Sequence, residues 1–147
     1  MTSQVCVDAS LVVAMFVPER FSQEALALWR EWMVNDWQVV APMLLRYEFT
    51  SAIFRKALSG LITGADSREA LGHFLTLDIE LTDPPSLPLR AVELAERFQR
   101  PNTYDAHYLA LAESLGCPFW TGDERLVNAI GASLDNIYWL GHNKVRT

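Results

Sequence analysis

Apolar and polar positions follow two alternating patterns along this chain. Short apolar runs rich in β-branched residues predict strands, and longer stretches with apolar residues every three or four positions predict helices. The predicted strands span residues 5–7, 38–41, 79–81, 119–121 and 137–140. The predicted helices span residues 11–17, 21–34, 42–58, 63–75, 87–99, 103–116 and 123–130.

Proline, glycine and threonine residues mark several predicted helix ends. Pro42 suits the first turn of the third helix, and Gly60 can close that helix. Thr63 and Thr103 are predicted N-caps, while Gly116 is a predicted C-cap. Because strands alternate with helices throughout, the sequence predicts an α/β fold. We expect a single domain over residues 1–147, with a parallel sheet and helices on both faces.

Two acidic residues follow predicted strands in this fold. Asp8 comes after the first strand and Asp123 after the fourth. In open parallel sheets, ligands bind beyond the carboxyl ends of the strands, where the strand order reverses.

The sequence contains neither GxGxxG nor GK[ST], so nucleotide binding through such phosphate loops is not expected. A phosphoacceptor role for Asp8 is also disfavoured, because the segment Asp8-Ala9-Ser10 lacks a second Asp.

Two further acids lie on the predicted inner faces of helices. At about 100° per residue, Glu48 falls about 40° from Leu44 and inside the apolar arc that contains Phe49. Asp105 falls inside the arc that contains Leu109. A carboxylate facing a sheet is costly unless it is paired, hydrogen bonded or bound to a metal.

Each acid also has an interpretation that involves no ligand. Glu48 can reach solvent or pair with Arg46 or Arg55. Asp105 suits the first turn of a helix because of the helix dipole, and the two strand-end acids can be N-caps. Together, however, four carboxylates suit Mg²⁺ or Mn²⁺, which prefer oxygen ligands. The chemistry typical of such sites is hydrolysis of phosphate esters.

Composition changes this picture in two respects. The net charge of -6 and the pI near 5.0 oppose a protein that coats nucleic acid through its overall charge, so a polyanion must be admitted locally. Half of the residues are hydrophobic, which favours a packed core over disorder.

Cys6 and Cys117 lie in apolar runs and are predicted to be reduced core thiols. No apolar run is long enough to span a membrane, so a cytoplasmic protein is expected.

Three sequence blocks resemble the PIN-domain family, and specifically VapC-type toxin ribonucleases. They are VCVDASLVVAMFVPE, PMLLRYEFTSAIFRK and TYDAHYLALAESLGCPFWTGDERL, with the four acids in the same order as in that family. The resemblance implies a Rossmann-like sheet and a catalytic cluster that binds Mg²⁺ or Mn²⁺ and cuts RNA. The residues implied as catalytic metal ligands are Asp8, Glu48, Asp105 and Asp123.

The resemblance also implies supporting groups and partners. Ser10 and Thr121 match hydroxyl positions that hold the carboxylates or water, although they can equally be a helix-cap residue and a strand-end residue. A metal-dependent endoribonuclease, the toxin of a type II pair with a cognate antitoxin protein, is therefore the leading hypothesis. The alternatives are a non-catalytic PIN-like module that binds RNA or protein, and a housekeeping RNA-processing nuclease without an antitoxin.

The remaining candidate residues are weaker. His107 lies about 200° around its helix from Asp105 and is predicted to be on the surface. Arg125 follows the Asp123 loop closely and is a candidate for guiding RNA. A group of aromatic residues predicts core packing and a homodimer interface more than base stacking. These residues are Trp29, Trp32, Trp37, Tyr47 and Phe54.

Overall fold

The computed structural model describes residues 2–142, so residue 1 and residues 143–147 of the predicted domain lie outside the described part. The strands are β1 (Gln4–Val7), β2 (Gln38–Ala41), β3 (Ile79–Leu81), β4 (Phe119–Thr121) and β5 (Ile137–Trp139). The helices are α1 (Ala9–Phe16), α2 (Ser22–Val34), α3 (Leu44–Leu58), α4 (Gly64–Phe74), α5 (Leu87–Arg97), α6 (Tyr104–Leu115) and α7 (Glu124–Ile130). Two 3₁₀ turns, Gly131–Ser133 and Leu140–His142, flank β5.

The strands form one five-stranded sheet in the order β3-β2-β1-β4-β5, and every described pairing is parallel. The chain leaves β1 toward β2 and β3, then crosses over to β4 and β5, so the strand order reverses between β1 and β4. For this strand order, the right-handed crossovers that are the rule between parallel strands place α1 to α4 on one face and α5 to α7 on the other. Ring contacts that join α1, α3 and α4 agree with this arrangement. The predicted α/β fold, with a parallel sheet between two helical layers, is confirmed.

The core lies on both sides of β1, the central strand. Val5, Cys6 and Val7 are fully buried because helices cover both faces of this strand. On one side, the Phe49 ring stacks on Phe74 with centroids 4.3 Å apart and links α3 to α4. The parallel pairing of β1 with β4 places their carboxyl ends next to each other. The candidate acid Asp8 directly follows β1, and Asp123 lies two residues after the end of β4.

Several predicted helix ends differ from the structure by a few residues. Pro42 precedes α3 instead of forming its first turn, because Met43 is the N-cap and its amide donates to Asp83 Oδ1 at 3.0 Å. Helix α5 ends before Gln99, whose φ of 52° is incompatible with a continuing helix. Thr103 is the N-cap of α6, but its side chain makes no capping hydrogen bond.

Other predicted boundaries shift for similar local reasons. Helix α1 starts at Ala9, two residues before the predicted start, because Asp8 caps it. Phe21 is the N-cap of α2, and Leu140 begins a 3₁₀ turn after β5. The Thr63 cap is confirmed, with a reciprocal capping box to Asp66. The Gly116 C-cap is confirmed too, in the left-handed conformation.

The two cysteines lie in the core, as predicted. Cys6 and Cys117 are buried and form no disulfide within residues 2–142. Burial raises the pKa of both thiols, so neither is an activated nucleophile. In the same part of the chain, no helix has the length and apolar character needed to cross a bilayer.

Candidate active site

The four predicted acids line one cleft at the carboxyl edge of the sheet. The cleft has a volume of about 630 Å³. Asp8 and Asp123 enter from the loops after β1 and β4, while Glu48 and Asp105 enter from α3 and α6. The structure therefore brings together side chains from four separate segments, at the point where the strand order reverses.

Asp8 is the most buried of these acids, with 6% of its surface exposed. Its Oδ1 accepts hydrogen bonds from Ser10 Oγ at 2.6 Å and from the Leu11 amide at 3.2 Å. Its Oδ2 accepts a short hydrogen bond from Thr121 Oγ1. The Leu11 contact makes Asp8 the N-cap of α1, so the capping interpretation is also correct.

Hydroxyl groups connect Asp8 to the loop that carries Asp123. Thr121 is fully buried. Its Oγ1 accepts a hydrogen bond from the Asp123 amide at 2.9 Å and donates one to Asp8 Oδ2. Ser10 Oγ accepts the Gly122 amide at 2.8 Å. Ser10 and Thr121 thus join the loops after β1 and β4 into one hydrogen-bonded unit.

Asp123 is the N-cap of α7, again in agreement with the capping interpretation. Its Oδ1 accepts from the amides of Arg125 and Leu126, at 3.0 and 3.3 Å. Its Oδ2 accepts no hydrogen bond from residues 2–142 and is available to water or to a ligand. A cap and a ligand-binding group are therefore compatible roles for this side chain.

Glu48 is held by a tyrosine from α6, the helix that also carries Asp105. The Tyr108 hydroxyl donates to Glu48 Oε1 at 2.6 Å, and the Tyr108 ring is almost fully buried. Neither Arg46 nor Arg55 forms an ion pair with Glu48 in the described chain, and of the two alternatives that involve no ligand, only partial access to solvent is observed. The sequence patterns did not identify Tyr108 as a partner of Glu48. The need of a buried tyrosine hydroxyl for a partner is the clue that can identify this role.

Asp105 is held by an arginine that sequence reasoning also missed. Arg100 Nη2 lies 3.3 Å from Asp105 Oδ2. The Arg100 Nε is buried and finds no hydrogen-bond partner among the described residues. The arginine belongs to the loop before α6, and no sequence pattern connects it to Asp105 without knowledge of the loop conformation.

The electrostatics of the cleft disfavour its own negative charge. Burial raises the pKa of Asp8 to about 7, although its hydrogen bonds to Ser10, Thr121 and Leu11 oppose that shift. Burial also raises the pKa of Glu48 and of Asp105. Repulsion between the acids adds to this effect, because Asp105 raises the pKa of Asp8 and Glu48, and Asp123 raises that of Asp105. Such a cleft is stabilised by a cation.

The donor set fits a hard divalent cation. Asp105, like Glu48 and Asp123, has one carboxylate oxygen that accepts no hydrogen bond from residues 2–142. Within those residues, no three acidic, histidine or cysteine side chains are already close enough to form a complete metal site. Mg²⁺ does not require such a cage, because it keeps several waters and binds through one or two carboxylates.

Cationic side chains also line the cleft, though not the predicted one. Arg55 and Lys56, from the last turns of α3, lie on the cleft wall. Lys56 forms an ion pair with Glu19 at 2.7 Å. Arg125 is exposed on α7 and is not among the residues that line the cleft. Its predicted role in guiding RNA is untested by this geometry.

His107 does not join the acids. Its Nδ1 lies 2.7 Å from the Thr103 carbonyl oxygen, one turn earlier on α6. The side chain is half-buried and therefore keeps part of the predicted surface exposure. The ring packs against the start of its own helix, and it is absent from the cleft lining.

Comparisons with known proteins agree with this architecture. The fold is similar to that of PAE2754 from Pyrobaculum aerophilum, with 23% sequence identity and a TM-score of 0.71 over 99% of this chain and 97% of that one. It is also similar to Mycobacterium tuberculosis VapC20 (Rv2549c), a sarcin-ricin loop cleaving toxin, with 16% identity and a TM-score of 0.65 over 88% of this chain and 98% of that one. No curated protein sequence matches the chain. The model of the PIN domain family matches residues 5–131, nearly the whole described chain. With four acids gathered at the sheet edge and this match over most of its length, the chain belongs to the PIN domain family.

Proposed function

We propose that this protein is a metal-dependent endoribonuclease whose catalytic residues are Asp8, Glu48, Asp105 and Asp123. PIN domains are generally nucleases that act on RNA. One observation carries the proposal for this chain. Carboxylates from four separate segments line one cleft, although burial and mutual repulsion oppose their charge.

The cleft residues have distinct roles in this proposal. When bound, Mg²⁺ or Mn²⁺ supplies activation of a water molecule and neutralises charge on the phosphodiester. Asp8 is held by Ser10 and Thr121, so its carboxylate is fixed before any ligand arrives. Glu48 and Asp105 contribute their free oxygens from the helix side of the cleft.

We further propose that the enzyme is the toxin of a type II pair and acts in the cytoplasm as a homodimer. The resemblance of its three sequence blocks to VapC-type toxins supports this assignment. A small cognate antitoxin encoded nearby is expected to suppress cleavage. Co-expression tests it: growth arrest by the protein, relieved by the adjacent small protein, is the expected result. A nuclease whose activity no neighbour suppresses is a housekeeping RNA-processing enzyme instead.

The homodimer requires its own measurement. Phe54 is exposed on α3 and available to a second copy. Sedimentation at micromolar concentration is expected to show a species twice the chain mass. A single species of 16.6 kDa contradicts the dimer without affecting the nuclease assignment.

The decisive experiment compares RNA cleavage with and without metal. The purified protein is incubated with a mixed RNA pool in Mg²⁺, in Mn²⁺ and in chelator, next to the variants Asp8→Asn and Asp105→Asn. Glu124→Gln is the matched control, because Glu124 is an exposed acid adjacent to Asp123 that does not line the cleft. We expect cleavage that needs metal, disappears in both Asn variants and persists in the control.

The same variants separate catalysis from binding. Asp8 and Asp123 cap helices and Asp105 pairs with Arg100, so structural uses of these acids favour a non-catalytic binding module as the second candidate. Calorimetric titration with Mg²⁺ distinguishes the two candidates. Loss of metal affinity in the Asn variants supports the nuclease. Intact RNA under every condition, together with unchanged metal affinity, supports the binding module.

A further inference from the structure

A second groove opens from the wall of the catalytic cleft. Its volume is about 320 Å³, and it shares Glu48 and Arg55 with the cleft. The remaining lining residues are Leu44, Tyr47, Ser51 and Tyr104. Because two residues line both spaces, a molecule that passes the acids can extend directly into this groove.

Two exposed tyrosines flank the groove. Tyr47 is 65% exposed and Tyr104 is 55% exposed, although burial is favourable for rings of this size. Each tyrosine directly precedes a candidate catalytic acid in the sequence, Glu48 or Asp105. Within residues 2–142, neither ring contacts another aromatic ring. Both rings are therefore free to stack on a ligand.

Arg55 lies where the groove meets the cleft. Its Nη1 donates to Ser51 Oγ at 2.8 Å, which orients the guanidinium group. Burial raises the pKa of Glu48, and the charge of Arg55 opposes that rise, so the guanidinium lies within electrostatic range of the acids. Arg55 forms no ion pair within the described chain, which leaves its remaining donors available to a phosphate.

We propose that the Tyr47–Tyr104 groove binds an unpaired nucleobase of the RNA substrate, next to the phosphate that lies at the acids. This inference rests on the proposed nuclease function and adds a base-binding groove to its cleft. The tyrosine rings stack on the base, and Arg55 contacts the intervening backbone phosphate. Bases inside a duplex are not accessible to such stacking, so the groove accepts only an unpaired base.

The lining of the groove favours RNA over a protein partner. An apolar partner surface would bury Glu48 and Arg55, and desolvation of those charges is costly. The exposed apolar residue Leu58 does not line this groove, and Leu61 lines the catalytic cleft instead. In a chain with a net charge of -6, an arginine in a groove that two exposed tyrosines also line is a local site at which an RNA strand is tolerated.

Binding of defined probes tests the groove. The parent protein is Asp8→Asn in Mg²⁺, in which cleavage is expected to be absent. Fluorescence anisotropy measures the affinity for single-stranded oligoadenylate and for an abasic chain of the same length. Tyr47→Ala and Tyr104→Ala are each expected to weaken oligoadenylate binding between about 5- and 100-fold, the range for loss of one stacked base. Binding of the abasic chain is expected to stay unchanged.

Matched variants make the result specific. Tyr47→Phe and Tyr104→Phe keep the ring and are expected to retain affinity, because neither hydroxyl makes a hydrogen bond within residues 2–142. Leu58→Ala removes an exposed apolar side chain from α3 outside the groove and is expected to have no effect. A duplex of the same sequence is expected to bind equally to the parent protein and to the alanine variants.

Three outcomes overturn the proposal. The first is unchanged oligoadenylate affinity in both alanine variants, and the second is an equal loss on the abasic chain. The third is a loss that only accompanies a change in sedimentation, which assigns the tyrosines to a contact with a second copy. If the wild-type protein still cuts RNA with metal, each of these outcomes leaves the nuclease assignment intact. Absence of cleavage in any metal contradicts the proposed function itself.

Discussion

The cleft has a strand side and a helix side, which hold their acids by different means. On the strand side, Asp8 and Asp123 accept hydrogen bonds from backbone amides, and hydroxyl groups connect their loops. On the helix side, Glu48 and Asp105 are each held by one side chain, a tyrosine hydroxyl for Glu48 and a guanidinium group for Asp105. The strand side is therefore part of the folded framework, whereas the helix side can adjust.

This difference indicates how stability and metal binding are divided. Asp8 is buried and fully hydrogen bonded, so its charge is coupled to folding. Glu48 and Asp105 are half-buried and keep free oxygens, so water or a cation can replace their present partners. We expect perturbations on the strand side to change stability most, and those on the helix side to change metal affinity most.

The largest effect is expected from pH in the absence of metal. The pKa of Asp8 is raised from 3.8 to about 7 in the folded protein. Between these two pH values, the folded protein keeps a proton on Asp8 that the unfolded chain has lost. The contribution of Asp8 to the free energy of unfolding therefore falls as pH rises from about 4 to about 7, by about 4 kcal/mol in total. Urea denaturation in chelator, across this pH range, measures the effect.

Asp8→Asn isolates that contribution. The amide of Asn does not titrate, so the variant does not lose stability through this residue as pH rises. The unfolding free energy of the wild type is therefore expected to fall relative to that of the variant as pH rises. Mg²⁺ is expected to restore wild-type stability near pH 8, because it compensates the buried charge. A difference that is constant between pH 4 and pH 8 contradicts the coupling of Asp8 to folding.

A matched pair of hydroxyl deletions compares the two sides directly. Thr121→Val leaves the buried carboxylate of Asp8 without one partner and is expected to cost about 1 to 3 kcal/mol of stability. Tyr108→Phe is expected to cost only about 0.5 to 1.5 kcal/mol, because water can reach the half-buried Glu48. Chemical denaturation at neutral pH measures both. The opposite order would contradict the division between the two sides.

The two sides also differ in how well the sequence predicts them. The strand-end acids could be located from local patterns, because an apolar run followed by Asp and a helix places that Asp at the edge of the sheet. Helical periodicity likewise placed Glu48 and Asp105 on inner faces. The groups that hold them could not be found in this way, because Arg100 depends on a loop conformation and Tyr108 on the packing of α6 against its neighbours. The strand order was likewise beyond local patterns.

Arg100→Met tests whether the helix side responds to metal. The guanidinium of Arg100 partly neutralises Asp105, so its removal is expected to strengthen Mg²⁺ binding several-fold. The change in stability without metal is expected to stay within about 1 kcal/mol, because a half-buried ion pair contributes little. Calorimetric titration measures the affinity. Weaker Mg²⁺ binding would instead identify Arg100 as a group that positions Asp105 for the metal.

The smallest effect is expected from Arg125, which lies beyond the strand side. Its side chain is exposed and outside the cleft lining, so Arg125→Ala is expected to weaken RNA binding only about two- to threefold at matched salt, through loss of one phosphate contact. Arg55→Ala is the comparison, because Arg55 lines the cleft and is expected to matter more. Anisotropy titrations over a range of salt concentrations measure both, and each lost phosphate contact lowers the salt dependence. Unchanged affinity in Arg125→Ala excludes a guiding role for that residue. The contacts between RNA phosphates and cationic side chains then come from the helix side of the cleft, which also carries the adjustable acids Glu48 and Asp105.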